Sequence, residues 1–306
     1  FGKSGSLRVE THAELARDGH FIVYCSAPDY GQGTDTVMTQ LAAETLGVSR
    51  DRVELVNADT ALTPDSGIQG ASRATYFVGN SVRAAADNLK QAIFAVAAEL
   101  LDQSPAELAL KDDRVVGSAP DRSIGLDAVA REFDQLGKSR RVIGIFDLSP
   151  QFPDETRPEY TPHIVTGAQA AQVLVDEETG LVQVRRLAAA HDVGRAINPP
   201  STVGQIEGAV MMGVGTALSE EYIPGVSTGF TDYLLPMASA RPEIEVLLIE
   251  VPSFFGPFGA KGVGEGAILP TAPAILNALS RAIGVRVREL PMTPPRVLAA
   301  IKSRGR

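Results

Sequence analysis

Residues 20–47, HFIVYCSAPDYGQGTDTVMTQLAAETLG, join a strand, a glycine-rich turn and a helix in one continuous run. His20 to Ser26 are rich in β-branched and aromatic residues, which suit a pleated, half-buried strand. Asp29-Tyr30-Gly31-Gln32-Gly33-Thr34 then turns the chain. Val37, Met38, Leu41, Ala42 and Leu46 recur at helical spacing, and Gly47 stands where a helix closes in left-handed conformation. A strand that feeds a helix through a tight turn is the unit of an α/β protein.

The same reading extends outward. Val53 to Val56 form a second strand and residues 60–72 a polar loop. A long helix over 74–102 carries Val82, Ala86, Leu89, Ile93, Val96 and Leu100 on one stripe, and Pro105 and Glu107 open a short element. The charged, proline-rich stretch Leu148–Pro162 marks a boundary. Beyond it, Gln169–Val175 and Val182–Ala190 pair across the turn 176–180. A small-residue helix over Gln205–Leu218, a strand over Glu245–Val251, a second glycine-rich loop over Gly256–Gly266 and helices over Ala272–Ile283 and Arg296–Lys302 follow. The expectation is a mixed α/β to α+β fold in two lobes, 1–150 and 151–306.

Composition bounds the function. The 306 residues carry 44% hydrophobic and 21% charged residues, enough apolar area for a sizeable core. A net charge of -9 disfavours nucleic acid, whose phosphates need a basic face. No apolar run approaches the ~20 residues that span a bilayer, and Phe1–Ser6 lacks the pattern of a signal peptide. One cysteine, Cys25, excludes a disulfide framework within the chain and a self-contained iron–sulfur cluster, and fits a reducing cytoplasm. His12, His20, His163 and His191 show no metal-ligand spacing, so no metal site is expected. His191 and Asp192 are adjacent in a strand and point to opposite faces, which argues against a dyad. Cys25 reads as a small buried hydrophobe.

Two loops carry chemistry. In the first, glycines permit close approach of backbone to ligand, the helix start offers amides and partial positive charge, and Gln32 adds an amide side chain. A seat for a phosphate or polar heterocycle and an ordinary strand-to-helix turn both fit, and neither the phosphate-loop nor the dinucleotide spacing is present. In the second, Gly259, Gly262, Gly264 and Gly266 surround Lys261 and Glu265. A carboxylate between glycines can be pressed against a ligand and act as a general base. Lys261 can meet an anion or pair with a backbone carbonyl. A flexible loop with a solvated Glu265 is the other reading, against which Pro257 and Phe258 within the loop count.

The motifs together resemble one family. Gly31-Gln32-Gly33-Thr34 with Gln40 to Gly47, Asn57-Ala58-Asp59-Thr60, Gly70-Ala71-Ser72-Arg73-Ala74-Thr75 with Gly79-Asn80, Asp192 to Pro199 with Gly204 to Gly208 and Glu220-Glu221, Asp232 to Pro236, and Ala260 to Glu265 with Pro270 to Pro273 occur in one order across nearly the whole chain. In that order they resemble the molybdopterin-binding part of the molybdenum hydroxylases, the xanthine dehydrogenase and aldehyde oxidoreductase family. The resemblance implies a two-lobed molybdopterin-binding domain and a molybdenum–molybdopterin cofactor, with the cytosine dinucleotide as one form open to it. It implies cofactor contacts from Gln32, Gly33, Thr34, Gly70, Ala71, Ser72, Gln205, Lys261, Gly262, Val263 and Gly264, and Glu265 as the catalytic base. The reaction implied is hydroxylation, with oxygen from water, of an aldehyde or of a ring C–H beside nitrogen. It also implies three partner chains: a second molybdopterin-binding subunit, a 2Fe-2S subunit and a FAD subunit. Complete molybdenum subunits of the family are far longer, and nicotinate dehydrogenases divide theirs between two polypeptides, an arrangement this chain is expected to share. Phe254, Phe255 and Phe258 are expected to wall a substrate channel. A non-catalytic scaffold that holds cofactor or partners, and a nucleotide-binding module of another fold, are the competing functions. Retention of Glu265 in its glycine setting argues for catalysis.

Overall fold

This computed structural model describes residues 7–119, 122–151 and 163–305. The chain folds as two compact units, Phe1–His163 with Pro252–Ala260 and Ile164–Val251 with Lys261–Arg306. The charged stretch expected at a boundary lies mostly outside the described residues, as does Phe1–Ser6.

The first unit is built on strands β1 (Arg8–Leu15), β2 (Phe21–Cys25) and β3 (Val53–Asn57), a small sheet of β4 (Ala109–Lys111), β5 (Arg114–Val116) and β6 (Ser123–Gly125), and β7 (Arg141–Asp147). The main sheet runs β3-β2-β1-β7. Strands β2 and β3 are parallel, whereas β1 is antiparallel to both β2 and β7. Helix α1 (Thr34–Leu46) makes the crossover from β2 to β3, with Gly33 (φ 85°) before it and Gly47 (φ 79°) after it, both left-handed. The long helix predicted over 74–102 opens with one π turn, Ala74–Val78, and continues as α2 (Gly79–Leu101). Of its predicted apolar stripe, Val82, Ala86, Leu89, Ile93 and Val96 are buried, whereas Leu100, in the last turn, is exposed. Helix α3 (Leu126–Gln135) completes the unit. Strands β1 and β7, which pair with each other from opposite ends of the unit, escaped the sequence reading.

The second unit contains β8 (Gly167–Val175), β9 (Val182–Asp192) and β10 (Glu243–Ile249) in the order β10-β9-β8, with β9 parallel to β10 and antiparallel to β8. Against the sheet lie α4 (Pro199–Leu218), α5 (Gly264–Ile268), α6 (Thr271–Ile283) and α7 (Pro294–Lys302). Leu187, Ala189, Ile206, Val210 and Ile275 form its core, extended by Leu279, Ile283 and Val297. Helix α4 starts six residues before the predicted Gln205: the Asn198 side chain accepts from the Ser201 amide at 3.1 Å, and Pro199 and Pro200 occupy the first turn. The stretch read as a continuous loop to Gly266 turns helical at Gly264, with the Ala267 amide bonded to the Val263 carbonyl at 3.3 Å. Glycine's low helix propensity hid this turn. Among the described residues no helix is long and apolar enough to cross a membrane.

Strand β7 crosses α2 at Gly144, where a Cβ would stand 2.0 Å from the Ala85 backbone nitrogen. Neither backbone can yield without separating helix from sheet. Gly144→Ala should therefore lower unfolding stability by roughly 3 kcal/mol, as overpacking does, measurable by urea denaturation. An unchanged midpoint would show that α2 does not approach β7 this closely.

Candidate functional site

In the first unit the chemistry-bearing loops meet at the carboxyl ends of the parallel strands β2 and β3, the end of an open sheet where ligands are usually held. Asn57, the last residue of β3, fastens them. Its side-chain oxygen accepts from the Ala27 amide at 2.8 Å, and its nitrogen donates to Ala27 O and to Asp35 Oδ1. The loop after β3 is tied back to the residue after β2: Ser26 N donates to Ser66 Oγ, and Gln69 Nε2 donates to Ser26 O at 3.0 Å.

The turn 29–35 is organised from within. Asp29 accepts from the amides of Gly31 at 2.8 Å, Gly33 at 3.3 Å and Asp35 at 3.1 Å. Burial works against its charge, but these amides outweigh it and hold the carboxyl below its usual range. Two of the helix-start amides that the sequence offered to an external anion, Gly33 and Asp35, are thus taken by Asp29. The Gln32 side chain is likewise engaged, accepting from Tyr30 N and donating to Pro28 O and Thr34 Oγ1 at 2.7 Å. Its carbonyl keeps one lone pair.

Residues 70–72 differ. Ala71 (φ 57°) and Ser72 (φ 52°) are successive left-handed non-glycine residues, leading directly into the π turn 74–78. Such backbone is uncommon and concentrates at functional sites. Beside it Gln69 Oε1 is buried without a partner among the described residues. Sequence reasoning missed Gln69, which looks like any polar loop residue. Arg73 holds the segment from below, donating from Nη1 to Ser66 O at 2.8 Å and Ile68 O at 3.1 Å, with its guanidinium over the Phe77 ring.

Of the three phenylalanines, Phe254 is 93% exposed and meets Phe255 edge-on, while Phe258 (φ 50°) lies under the Arg83 guanidinium. Cys25 is buried, which pushes its thiol up to about 12 and leaves it an unreactive hydrophobe.

In the second unit a pocket of about 450 Å³ lies beside α5. Val165, Thr166 and Gly167 at the start of β8, His191 and Asp192 at the end of β9, and Gly262, Val263, Gly266, Leu269 and Pro270 line it. Glu265, exposed on α5, is flanked by these lining residues without being one of them. Gln205 is half-buried on α4, next to two exposed glycines, 204 and 208.

Lys261 pairs with a carboxylate that the sequence did not suggest: its Nζ lies 2.6 Å from Asp192 Oδ2, each side chain only 9% exposed, and 3.4 Å from Ile164 O. Asp192 Oδ1 accepts from the amides of Gly194 at 3.0 Å and Val251 at 3.4 Å. This pair fixes where the chain enters the Gly262–Gly266 segment, since Lys261 N also donates to Val193 O at 3.0 Å. Desolvation opposes the Asp192 charge, but the Lys261 ammonium and the two amides overcome it and hold the carboxyl below the usual range. A depressed carboxyl adds stability that is fully present above its unfolded value, about pH 4, and fades as pH falls through the folded value. Lys261→Met should cost about 3 kcal/mol near neutral pH by stranding a buried carboxylate. It should also flatten the acid limb of a stability–pH curve measured by urea denaturation. A parallel curve merely displaced downward would show that Asp192 does not depend on Lys261.

Residues 3–242 match the Molybdopterin cofactor-binding domain family. The chain is 32% identical over 97% of its length to the gamma subunit of the 6-hydroxypseudooxynicotine dehydrogenase complex of Paenarthrobacter nicotinovorans, of which it spans 38%. It is 32% identical over 92% of its length to a putative xanthine dehydrogenase molybdenum-binding subunit of Escherichia coli, again spanning 38% of that protein. The solved aldehyde oxidoreductase of Desulfovibrio gigas superposes with a TM-score of 0.82 at 29% identity, covering 98% of this chain and 31% of that one. The chain spans roughly a third of the relatives it resembles, and within that span it belongs to the molybdopterin cofactor-binding domain family, the molybdopterin-binding part of the molybdenum hydroxylases.

Proposed function

We propose that this chain contributes the cofactor seat and the general base of an oxidoreductase that hydroxylates an aldehyde, or a ring carbon beside nitrogen, with oxygen from water. The relatives' names support the class: a dehydrogenase complex subunit, a putative xanthine dehydrogenase subunit and an aldehyde oxidoreductase. The observation that carries the reading is the strained segment 69–72, which offers a buried acceptor without a partner beside two left-handed residues. A pterin, rich in N–H donors, fits that acceptor. The bound cofactor supplies the redox centre that receives two electrons from the substrate carbon.

The chain's own residues supply the rest. Gln69 Oε1 and the backbone of Gly70, Ala71 and Ser72 face a polar heterocycle, joined by the spare lone pair of Gln32 beside Gly33 and Thr34. Lys261 acts on the second loop indirectly, holding Gly262, Val263 and Gly264 in place through Asp192. Gln205 stands on a stretch of α4 kept open by glycines. Glu265, on the short helix α5, takes up the proton released when oxygen attacks the substrate, a task that suits an exposed carboxylate on a glycine-rich turn. Electrons are proposed to leave through 2Fe-2S and FAD partner chains, and a second molybdopterin-binding subunit is proposed to complete the molybdenum subunit. Cytoplasmic residence and the cytosine dinucleotide form of the pterin belong to the same proposal.

In the assembled holoenzyme, Glu265→Gln should leave molybdenum content unchanged and lower turnover by about 10³-fold, measured by elemental analysis beside steady-state rates. A variant that keeps both metal and activity would favour a scaffold role for this chain, with the base elsewhere.

A further inference from the structure

The hydrogen bonds around His191 fix its tautomer. The Gln169 side-chain nitrogen lies 2.8 Å from Ala267 O, an atom that can only accept, so the amide group, not its carbonyl, must face it. The Gln169 carbonyl in turn accepts from Thr271 Oγ1 at 2.7 Å. The second hydrogen of that nitrogen is directed at His191 Nε2, 2.9 Å away. Nε2 is therefore the acceptor and the ring proton sits on Nδ1, a state assigned from the network. Burial also lowers the affinity of this imidazole for a second proton, so the neutral ring persists near pH 7.

The Nδ1–H has no protein partner among the described residues, although His191 is only 4% exposed. It faces the cross-strand neighbour Gly167, where a Cβ would lie 2.3 Å from Nδ1 and cover it. Both residues line the pocket beside α5. Around that donor the walls are mainly apolar, formed by Val165, Val263, Leu269 and Pro270, with Thr166 and Asp192 as the other polar side chains. No Lys or Arg is among the lining residues, and Lys261, which adjoins the lining residue Gly262, is paired with Asp192, so a phosphate or carboxylate would find no free cation on the walls. Pockets of a few hundred Å³ with apolar walls and one or two placed polar groups suit small organic molecules.

We propose that this pocket binds a small, uncharged, mainly apolar molecule that presents one hydrogen-bond acceptor, a carbonyl oxygen or a ring nitrogen, to the Nδ1–H of His191. The tautomer rests on the hydrogen-bond network alone, but the pocket shares Gly262 and Val263 with the proposed cofactor segment, so its standing as a separate site rests on that reading. Rejection of anions follows from the same network, because charge on the ligand would meet the Asp192 carboxylate.

With four histidines in the chain, a ¹⁵N-histidine-labelled sample of the protein containing it is tractable. Pyridine, cyclohexanone and benzene serve as probes at mildly alkaline pH, where pyridine is uncharged. Pyridine and cyclohexanone should shift the His191 Nδ1 resonance and leave Nε2 in place, while benzene, which lacks an acceptor, should bind about tenfold more weakly. His191→Phe should remove that preference and bring all three probes to the affinity of benzene. The labelled wild-type titration stands alone if this variant does not fold. An Nδ1 signal unmoved by saturating pyridine, a proton found on Nε2, or equal binding of benzene and pyridine would overturn the proposal. So would loss of probe binding on loading with molybdopterin, which would make the pocket part of the cofactor seat.

Discussion

A carboxylate placed just past the end of a central strand holds the functional loop in each unit. Beyond β2, Asp29 gathers the amides of Gly31, Gly33 and Asp35. At the end of β9, Asp192 gathers the amides of Gly194 and Val251 and the ammonium of Lys261. The cause is general. A chain that leaves a strand for a tight turn exposes amides that neither sheet nor helix can use, and unpaired amides cost free energy wherever water is excluded. One carboxylate with two oxygens answers several of them at once, and its charge makes each bond stronger than a neutral one. Both aspartates are thereby held below the ordinary carboxylate range, despite the desolvation that opposes it.

This has a consequence for reactivity. A carboxylate locked among amides and an ammonium is a poor proton acceptor, because its charged form is already stabilised. Asp29 and Asp192 are structural anions for that reason. Glu265 lies in a different setting, exposed on a five-residue helix beginning at a glycine, and its approach to a ligand is governed by the anchoring of Lys261 four residues earlier. The proposed division of labour gives Asp192 to the fold and Glu265 to the chemistry, with Lys261 linking the anchor of β9 to the start of the Glu265 segment.

Local patterns in the sequence were legible where local physics decides. The run 20–47 yielded β2, its turn and α1 with its closing Gly47, because β-branched content, glycine and helical spacing all agree there. The hairpin of β8 and β9 was readable from alternation around a turn signal. Strand β1 was missed although Val9, Thr11, Ala13 and Leu15 alternate inward and it pairs with β2 across a short turn, whereas β7 has only the distant β1 as its partner, Val9 against Phe146. The same holds at the sites. Gln32 and Glu265 stood out by their glycine neighbours, whereas the role of Asp29 needed the turn geometry, that of Asp192 needed the position of Lys261, and that of Gln69 needed the burial of its oxygen. The start of α4 was misplaced to Gln205, although Asn198-Pro199-Pro200, a cap followed by two residues suited to a first turn, carries its signal.

The segment 66–73 shows how far structure can carry function when backbone conformation departs from the ordinary. Left-handed backbone at Ala71 and Ser72 costs on the order of 1–2 kcal/mol per residue, and the unpartnered Gln69 oxygen adds about 1–3 kcal/mol. A surface loop under no other constraint would relax away from all three. It is prevented from doing so by Arg73, whose buried guanidinium holds the carbonyls of Ser66 and Ile68 and stacks on Phe77, and by Ser66 and Gln69, which tie the loop to Ser26. On the proposed reading, a fold that maintains strain with this many contacts keeps the Gln69 acceptor ready for the cofactor. Such preorganisation is what a tightly held heterocyclic cofactor requires.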